Sequence, residues 1–331
     1  MSTSTNTIAP PPTRTGRDWT WVARQPLVGP LAALVVAVVV FSIGSPRFLS
    51  PYNLSLIGQQ SIVVGILAVA QTIVILTAGI DLSIGAITVL GTIVMAKTVG
   101  SAGALGALLI ALVVCVIIGA INGSLVTYLR LPPFIVTLGT FTATSAATQL
   151  YAGSATYPVT SQLLTFFGQD FGVGSLRTTL GVAVLIVVYI VCFYILGQTA
   201  GGQHVYAVGG NPIAARFAGI KTSRTLMSVY IMTGVIAAIA AWAALGRIPN
   251  ADPNAYQTAN LDTITAVVIG GTSLFGGRGS VVGTLIGTLI VGVLRNGLTL
   301  IGVDNLYQNI ATGALVILAV AFDQLARRRT Q

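Results

Sequence analysis

The sequence predicts an all-α polytopic membrane bundle of about ten transmembrane helices, and three observations carry that prediction. The 331 residues are 54% hydrophobic and 7% charged, against roughly a quarter charged in a soluble domain. Apolar runs of seventeen or more residues recur along the whole chain, each long enough to cross a hydrocarbon core of about 30 Å as a helix. The cations fall in short connections between those runs rather than on one face.

Cutting the chain at Gly, Pro and charged clusters places helices near 27–44, 56–77, 83–99, 104–127, 133–151, 179–197, 225–246, 263–274, 280–300 and 306–323. Residues 1–26, polar and rich in Thr and Pro, read as a disordered tail; 27–323 form one transmembrane domain, and 324–331 a basic tail. The run from Leu27 to Ile43 is longer than a signal-peptide core and lacks a small-residue cleavage site, so it reads as a retained first helix.

With the N-terminus in the cytoplasm, eleven of the sixteen Lys and Arg fall in inside connections. Arg47, Lys97, Arg177 and Arg247 fall outside, and Arg295 lies within a span. The excess of inside cations favours both termini in the cytoplasm and an even number of crossings. A net charge of +9 spread this way sets topology, and nucleic acid is not an expected partner.

Two connections are longer and more polar than the rest, 152–178 outside and 198–224 inside, and long connections in a compact bundle usually have a task. In the inside one, Gly209 to Asn211 turn the chain and Pro212 suits the first position of a short basic helix through Arg216, a docking element. Gly279, Gly283 and Gly287 recur every four residues, and Gly119 and Gly123 repeat the spacing, which reads as helix-packing seams.

The segment TAGIDLSIGA, Thr77 to Ala86, interrupts two apolar runs with Asp81. A carboxylate at membrane depth costs about 2.5–3.5 kcal/mol on insertion scales. Two readings stand side by side: a broken or re-entrant segment near a translocation path, and a helix cap in which Asp81 accepts backbone N–H bonds. Asp81 reads as the sole carboxylate at membrane depth, too thin a supply for the proton relay of an ion-coupled carrier.

Other chemistries fail on inventory. GGTSLFGGRG at 270–279 superficially resembles a phosphate-cradling loop, but the chain contains no Gly-Lys pair. ATP hydrolysis is therefore expected elsewhere. One histidine, His204, and two cysteines inside apolar runs, Cys115 and Cys192, leave no expected metal site, cofactor or catalytic triad.

Three ordered segments, TAGIDLSIGA at 77–86, GGNPIAARFAGI at 209–220 and AVVIGGTSLFGGRGSVVGTLIGTLIVGVLRNGLTLIGV at 266–303, resemble the permease subunits of bacterial ABC importers for monosaccharides, of the ribose type. The match is close to full length. It implies a homodimer around a central pore in the cytoplasmic membrane, a periplasmic or lipid-anchored sugar-binding protein outside, and inside ATPase subunits that hold ATP and Mg.

In that picture Gly209, Gly210, Asn211, Ala214, Ala215, Arg216, Gly219 and Ile220 match the coupling helix that seats in the ATPase. Weak polar contacts along the path fall to Thr77, Asp81, Ser83, Thr272 and Ser273, and docking of the binding protein to Arg47, Lys97, Arg177 and Arg247. Three positions depart from the family pattern: Pro212 where an acidic residue is usual, Asn260 where Glu is frequent, and Arg295 where Asn is common. Related permeases for branched-chain amino acids or nucleosides, and an ion-coupled carrier or channel, stand as alternatives.

Overall fold

The computed structural model describes residues 27–173 and 176–328. The tail expected at 1–26 and the last residues of the basic tail lie outside the described residues. Eleven α-helices are found among the described residues. They are α1 (Val28–Gly44), α2 (Pro51–Leu76), α3 (Ile84–Thr127), α4 (Pro133–Ala152), α5 (Leu180–Gln198), α6 (Ala200–Gly210), α7 (Pro212–Phe217), α8 (Thr222–Arg247), α9 (Ala259–Ile269), α10 (Val281–Leu300) and α11 (Asn305–Arg328).

Local chemistry explains most of the ends. Ser50 accepts from the Asn53 N–H at 3.3 Å and Pro51 sets the first turn of α2, which starts that helix five residues before the expected 56. Two separate helices were expected at 83–99 and 104–127. The structure runs them together as α3, broken at Gly103, whose φ of 72° and ψ of 171° no helix accommodates. α9 begins at 259 and stops at Gly270, rather than running from 263 to 274, because its first turn is polar and Gly271 adopts a φ of 87°.

The outside connection carries structure of its own. β1 (Tyr157–Pro158) pairs antiparallel with β4 (Asn250–Ala251), Tyr157 opposite Ala251. β2 (Asp170–Val173) and β3 (Leu176–Thr179) form a second antiparallel pair, Asp170 opposite Thr179.

α2 is the axis of the core. It is apolar almost all round and mostly buried, packing against α8, α10, α9 and α5, as a helix surrounded by others must be. Ile66, Leu67 and Val74 from α2 meet Tyr230 and Ala237 from α8 in the largest apolar cluster. Where α3 crosses α8 the backbones touch: a Cβ on Gly119 would collide with the Tyr230 carbonyl, and one on Gly234 would lie 2.6 Å from the Cys115 carbonyl oxygen. The seam expected at Gly119 and Gly123 is therefore a real close approach, the kind small residues permit where lipid supplies no hydrophobic drive. Gly279 precedes α10, so its expected glycine stripe reduces to Gly283 and Gly287 on the helix itself.

Buried hydroxyl and amide pairs tie the helices laterally. Asn53 donates to Asn296 at 2.9 Å, Thr72 and Thr284 share a hydrogen bond at 2.6 Å, and Tyr189 and Thr288 share one at 3.0 Å. Five helices are long and apolar enough to cross a membrane, namely α2, α3, α5, α8 and α10. The chain is an all-α integral membrane protein.

Candidate functional site

The most constrained backbone in the molecule lies where α2 ends. The Gly277 N–H donates to the Leu76 carbonyl at 2.9 Å, and Gly209, near the end of α6, lies against both: a side chain there would overlap the Leu76 carbonyl oxygen. Glycine is required because three backbones converge on one point. α6 is thereby fixed to the central helix and to the 270–280 turn.

α7 projects from that anchor. Asn211 caps it, its Oδ1 accepting from the Ile213 and Ala214 N–H groups at 3.0 Å each, and Pro212 occupies the first position. Ile220 N–H closes on the Ala215 carbonyl at 3.0 Å, and Gly219 turns the chain with a φ of 84°. Arg216 Nε donates to Thr222 Oγ1 at 3.1 Å, bracing α7 against the start of α8.

Of the eight residues expected in this element, Gly209 and Ala215 are buried, Ile220 is half-buried, and Gly210, Asn211, Ala214, Arg216 and Gly219 are exposed. Sequence reasoning missed the two largest exposed side chains on α7, Ile213 at 66% and Phe217 at 89%. Their signal was present, as bulky apolar residues inside an otherwise polar connection. A rigidly capped six-residue helix offering an apolar pair and a cation is built to meet another surface.

The break at 77–83 is mostly buried, with Ala78 exposed. Asp81 Oδ1 accepts from the Ser83 N–H at 2.8 Å and from Ser83 Oγ at 2.6 Å, so the capping geometry is present at the entry to α3. Asn122 Nδ2 donates to Ser83 Oγ at 2.9 Å, and Thr140 donates to Asn122 at 2.6 Å. With its amide turned to satisfy both groups, Gln71 donates to the Asp81 carbonyl at 2.9 Å and accepts from its N–H at 3.3 Å. Thr137 Oγ1 donates to the Ile80 carbonyl at 2.9 Å. Thr77, Asp81, Ser83, Thr272 and Ser273 are all buried within the single chain.

A different element presents small residues outward. α4 is twenty residues long yet is not apolar enough to rank with the five spans. Its middle exposes Gly139, Thr142, Ala143, Ala146 and Ala147, its ends expose Phe134, Ile135, Leu138 and Leu150, and Thr137, Thr144 and Thr148 are buried on its other side.

At the end where α9 begins, a cavity of about 480 Å³ opens among α2, α9, α10 and α11, lined by Gln60, Thr258, Asp262, Arg295, Asn305 and Gln308. Arg295 donates to Asp262 at 2.7 Å and to Thr258 at 3.2 Å. Asp262 is buried as well, so Asp81 is not the sole buried carboxylate among the described residues. Its helix begins four residues earlier than expected, which draws it inside. Arg295, one of the three departures, therefore has a partner. Arg247 also lines this cavity, whereas Arg47, Lys97 and Arg177 are exposed. Lys97 Nζ donates to the Tyr151 carbonyl at 2.6 Å and lies 4.5 Å from the Tyr151 ring centroid.

A helical bundle with long apolar helices and a largely apolar exterior is the architecture of an integral membrane protein. Its residues 53–320 match the family described as branched-chain amino acid transport system / permease component, and the chain belongs to that family. It is 45% identical over 92% of its length to the fructose import permease protein of Rhizobium meliloti, covering 87% of that protein. Against the ribose import permease protein of Bacillus subtilis it is 38% identical over 90% of its length and 92% of the relative's. For the ribose import permease protein of Escherichia coli K12 the identity is 40% over 88% and 92%. No solved structure matches the chain.

Proposed function

We infer that the chain is the pore-forming subunit of an ATP-driven ABC importer in the bacterial cytoplasmic membrane, and that a monosaccharide is what it carries. The family description names branched-chain amino acids, but the relatives at 38–45% identity are fructose and ribose permeases along nearly their full lengths, which favours the sugar. The chemistry of ATP belongs to a separate ATPase subunit with its Mg, and delivery to a sugar-binding protein outside.

α1, α2, the two arms of α3, α4, α5, α8, α10 and α11 are nine crossings, and the eleven-residue α9, about 16 Å long, makes the tenth only together with the 270–280 turn, with both termini in the cytoplasm and α6 and α7 just outside the membrane on that side. The observation that carries the reading is α7, where Phe217, Ile213 and Arg216 stand on a capped helix whose base is locked to Leu76 and Gly277. Motion of that helix has a stiff route into α2, which is what coupling ATP closure to the pore needs. A second copy completes the path, with the exposed small face of α4 lining it; the buried Thr77, Asp81, Ser83, Thr272 and Ser273 then support the path from behind. Arg47, Lys97, Arg177 and Arg247 lie at the end that meets the binding protein.

Purification from native membranes in mild detergent, followed by mass spectrometry of accompanying proteins, tests this directly. An ATP-binding subunit should accompany the intact chain and be lost from Phe217→Asp and Arg216→Glu. Uptake that survives ATP depletion but collapses with an ion gradient would instead make the chain a secondary carrier.

A further inference from the structure

Between α3 and α4 the chain turns through residues 128–132, beside the connection that leads from α7 into α8. A cavity of about 1100 Å³ opens between these two turns. Arg130, Arg216, Lys221 and Arg224 line it, and among the described residues none of its lining side chains is acidic. All four are exposed to solvent, and together they make a positive potential that attracts an anion to the cleft.

The turn geometry holds the charges there. Arg130 has a φ of 55°, a left-handed conformation that costs a residue with a side chain roughly 1–2 kcal/mol. Such strain persists where the surroundings impose it and is concentrated at binding sites.

The floor of the cleft points the same way. Tyr230 is 1% exposed, lines the cavity, and its hydroxyl has no hydrogen-bond partner. Thr127 Oγ1, also in the lining, is buried and unpartnered. The buried Asp81 carboxylate lies near enough to act on Tyr230, and the two unpartnered hydroxyls can also donate to an anion in the cleft, for which a phosphate group offers oxygens.

The rim decides the source of that phosphate. Tyr128, Leu129 and Leu131 are exposed apolar side chains on the turn between two helices of the bundle, a wall that suits acyl chains and not a water-soluble ion. We propose that this cleft binds the phosphate headgroup of an anionic phospholipid, clamping the α3–α4 turn to the α7–α8 connection. Lipid composition would then set how freely α7 moves. The cleft shares Arg216, Gly219 and Ile220 with the proposed coupling element, but the tested Arg130 and Arg224 lie outside that element, so failure of the lipid proposal leaves the importer reading standing.

The test is native mass spectrometry of the full chain taken from vesicles holding equal phosphatidylglycerol and phosphatidylcholine. Phosphatidylglycerol should remain bound preferentially to the unaltered protein, and equal retention of the two overturns the proposal. Arg130→Gln with Arg224→Gln should weaken that retention about thirtyfold, equal to ~2 kcal/mol at ~1.4 kcal/mol per tenfold, while Arg130→Lys with Arg224→Lys keeps it. Displacement of the lipid by dilute inorganic phosphate would assign the site to a soluble anion. Unchanged lipid selectivity in the Gln pair, with loss of an accompanying ATPase, would assign it to an acidic protein segment; either result overturns the lipid.

Discussion

α4 and α5 are nearly the same length, twenty and nineteen residues, and both expose much of their surface. Their exposed faces differ in kind. α5 shows Ile186, Val187, Ile190, Val191 and Phe193, and α1 and the second arm of α3 show similar rows, such as Val35, Val39, Ile110 and Ile117. α4 exposes Phe134, Ile135, Leu138 and Leu150 toward its ends, but its middle shows Gly139, Thr142, Ala143, Ala146 and Ala147. Bulky aliphatic surface is what acyl chains solvate at no cost, whereas small and hydroxylated surface gains nothing from lipid and suits close helix contact or water. Exposure in one chain of a membrane protein thus has two meanings, and side-chain size separates them.

The largest expected effect comes from placing a charge on the greasy face. Ile190→Asp should lower membrane insertion or folded yield by about 2.5–3.5 kcal/mol. Ala143→Asp on α4 should cost far less, because its face is not committed to hydrocarbon. Fluorescence-detected size-exclusion profiles of the two variants check this, and equal losses would erase the distinction.

Next comes the ion pair of the cavity where α9 begins. Arg295→Ala leaves Asp262 buried without its cation, and about 2 kcal/mol of thermal stability should go. That is below the 3–5 kcal/mol seen for fully buried pairs, since the Arg295 side chain is 36% exposed and Asp262 3%. The double change Arg295→Met with Asp262→Leu should recover most of the loss in a melting assay. No recovery would mean that Arg295 stabilises through Thr258 instead.

Within the α3–α8 seam, Gly119→Ala introduces one methyl against the Tyr230 carbonyl, and overpacking of this sort costs about 1–3 kcal/mol. Gly139→Ala, on the open stripe of α4 where nothing lies within 4 Å, should leave the melting temperature of the single chain nearly unchanged. Between the two falls Lys97→Ala, which removes an exposed cation–π contact worth about 0.5–1 kcal/mol in the same melting assay.

Helix positions were legible because Gly, Pro and charge punctuate apolar runs, and eight expected helices lie within a few residues of those found. α9 was shifted because Asn260, Asp262 and Thr263 look like a connection until the helix buries them. The Asp262–Arg295 pair was not legible at all: its members stand thirty-three residues apart on separate helices, and only packing brings them together. Asp81 drew attention as a rare carboxylate, and the cap at Ser83 was readable from spacing. The partners of that break, Gln71, Asn122 and Thr137, come from three different helices and left no local trace. In the 209–220 segment the turn, the proline and the cation were readable, but the prominence of Phe217 depends on how α7 projects from the bundle.

The most direct test is substituted-cysteine labelling in membranes, with Cys115 and Cys192, both buried, replaced by serine. Ala143→Cys and Ala147→Cys should react with a membrane-impermeant maleimide and lose uptake on labelling, while Val187→Cys and Ile190→Cys should stay unlabelled. Equal labelling of both helices, or labelling of α5 alone, would contradict the assignment of α4 to the path.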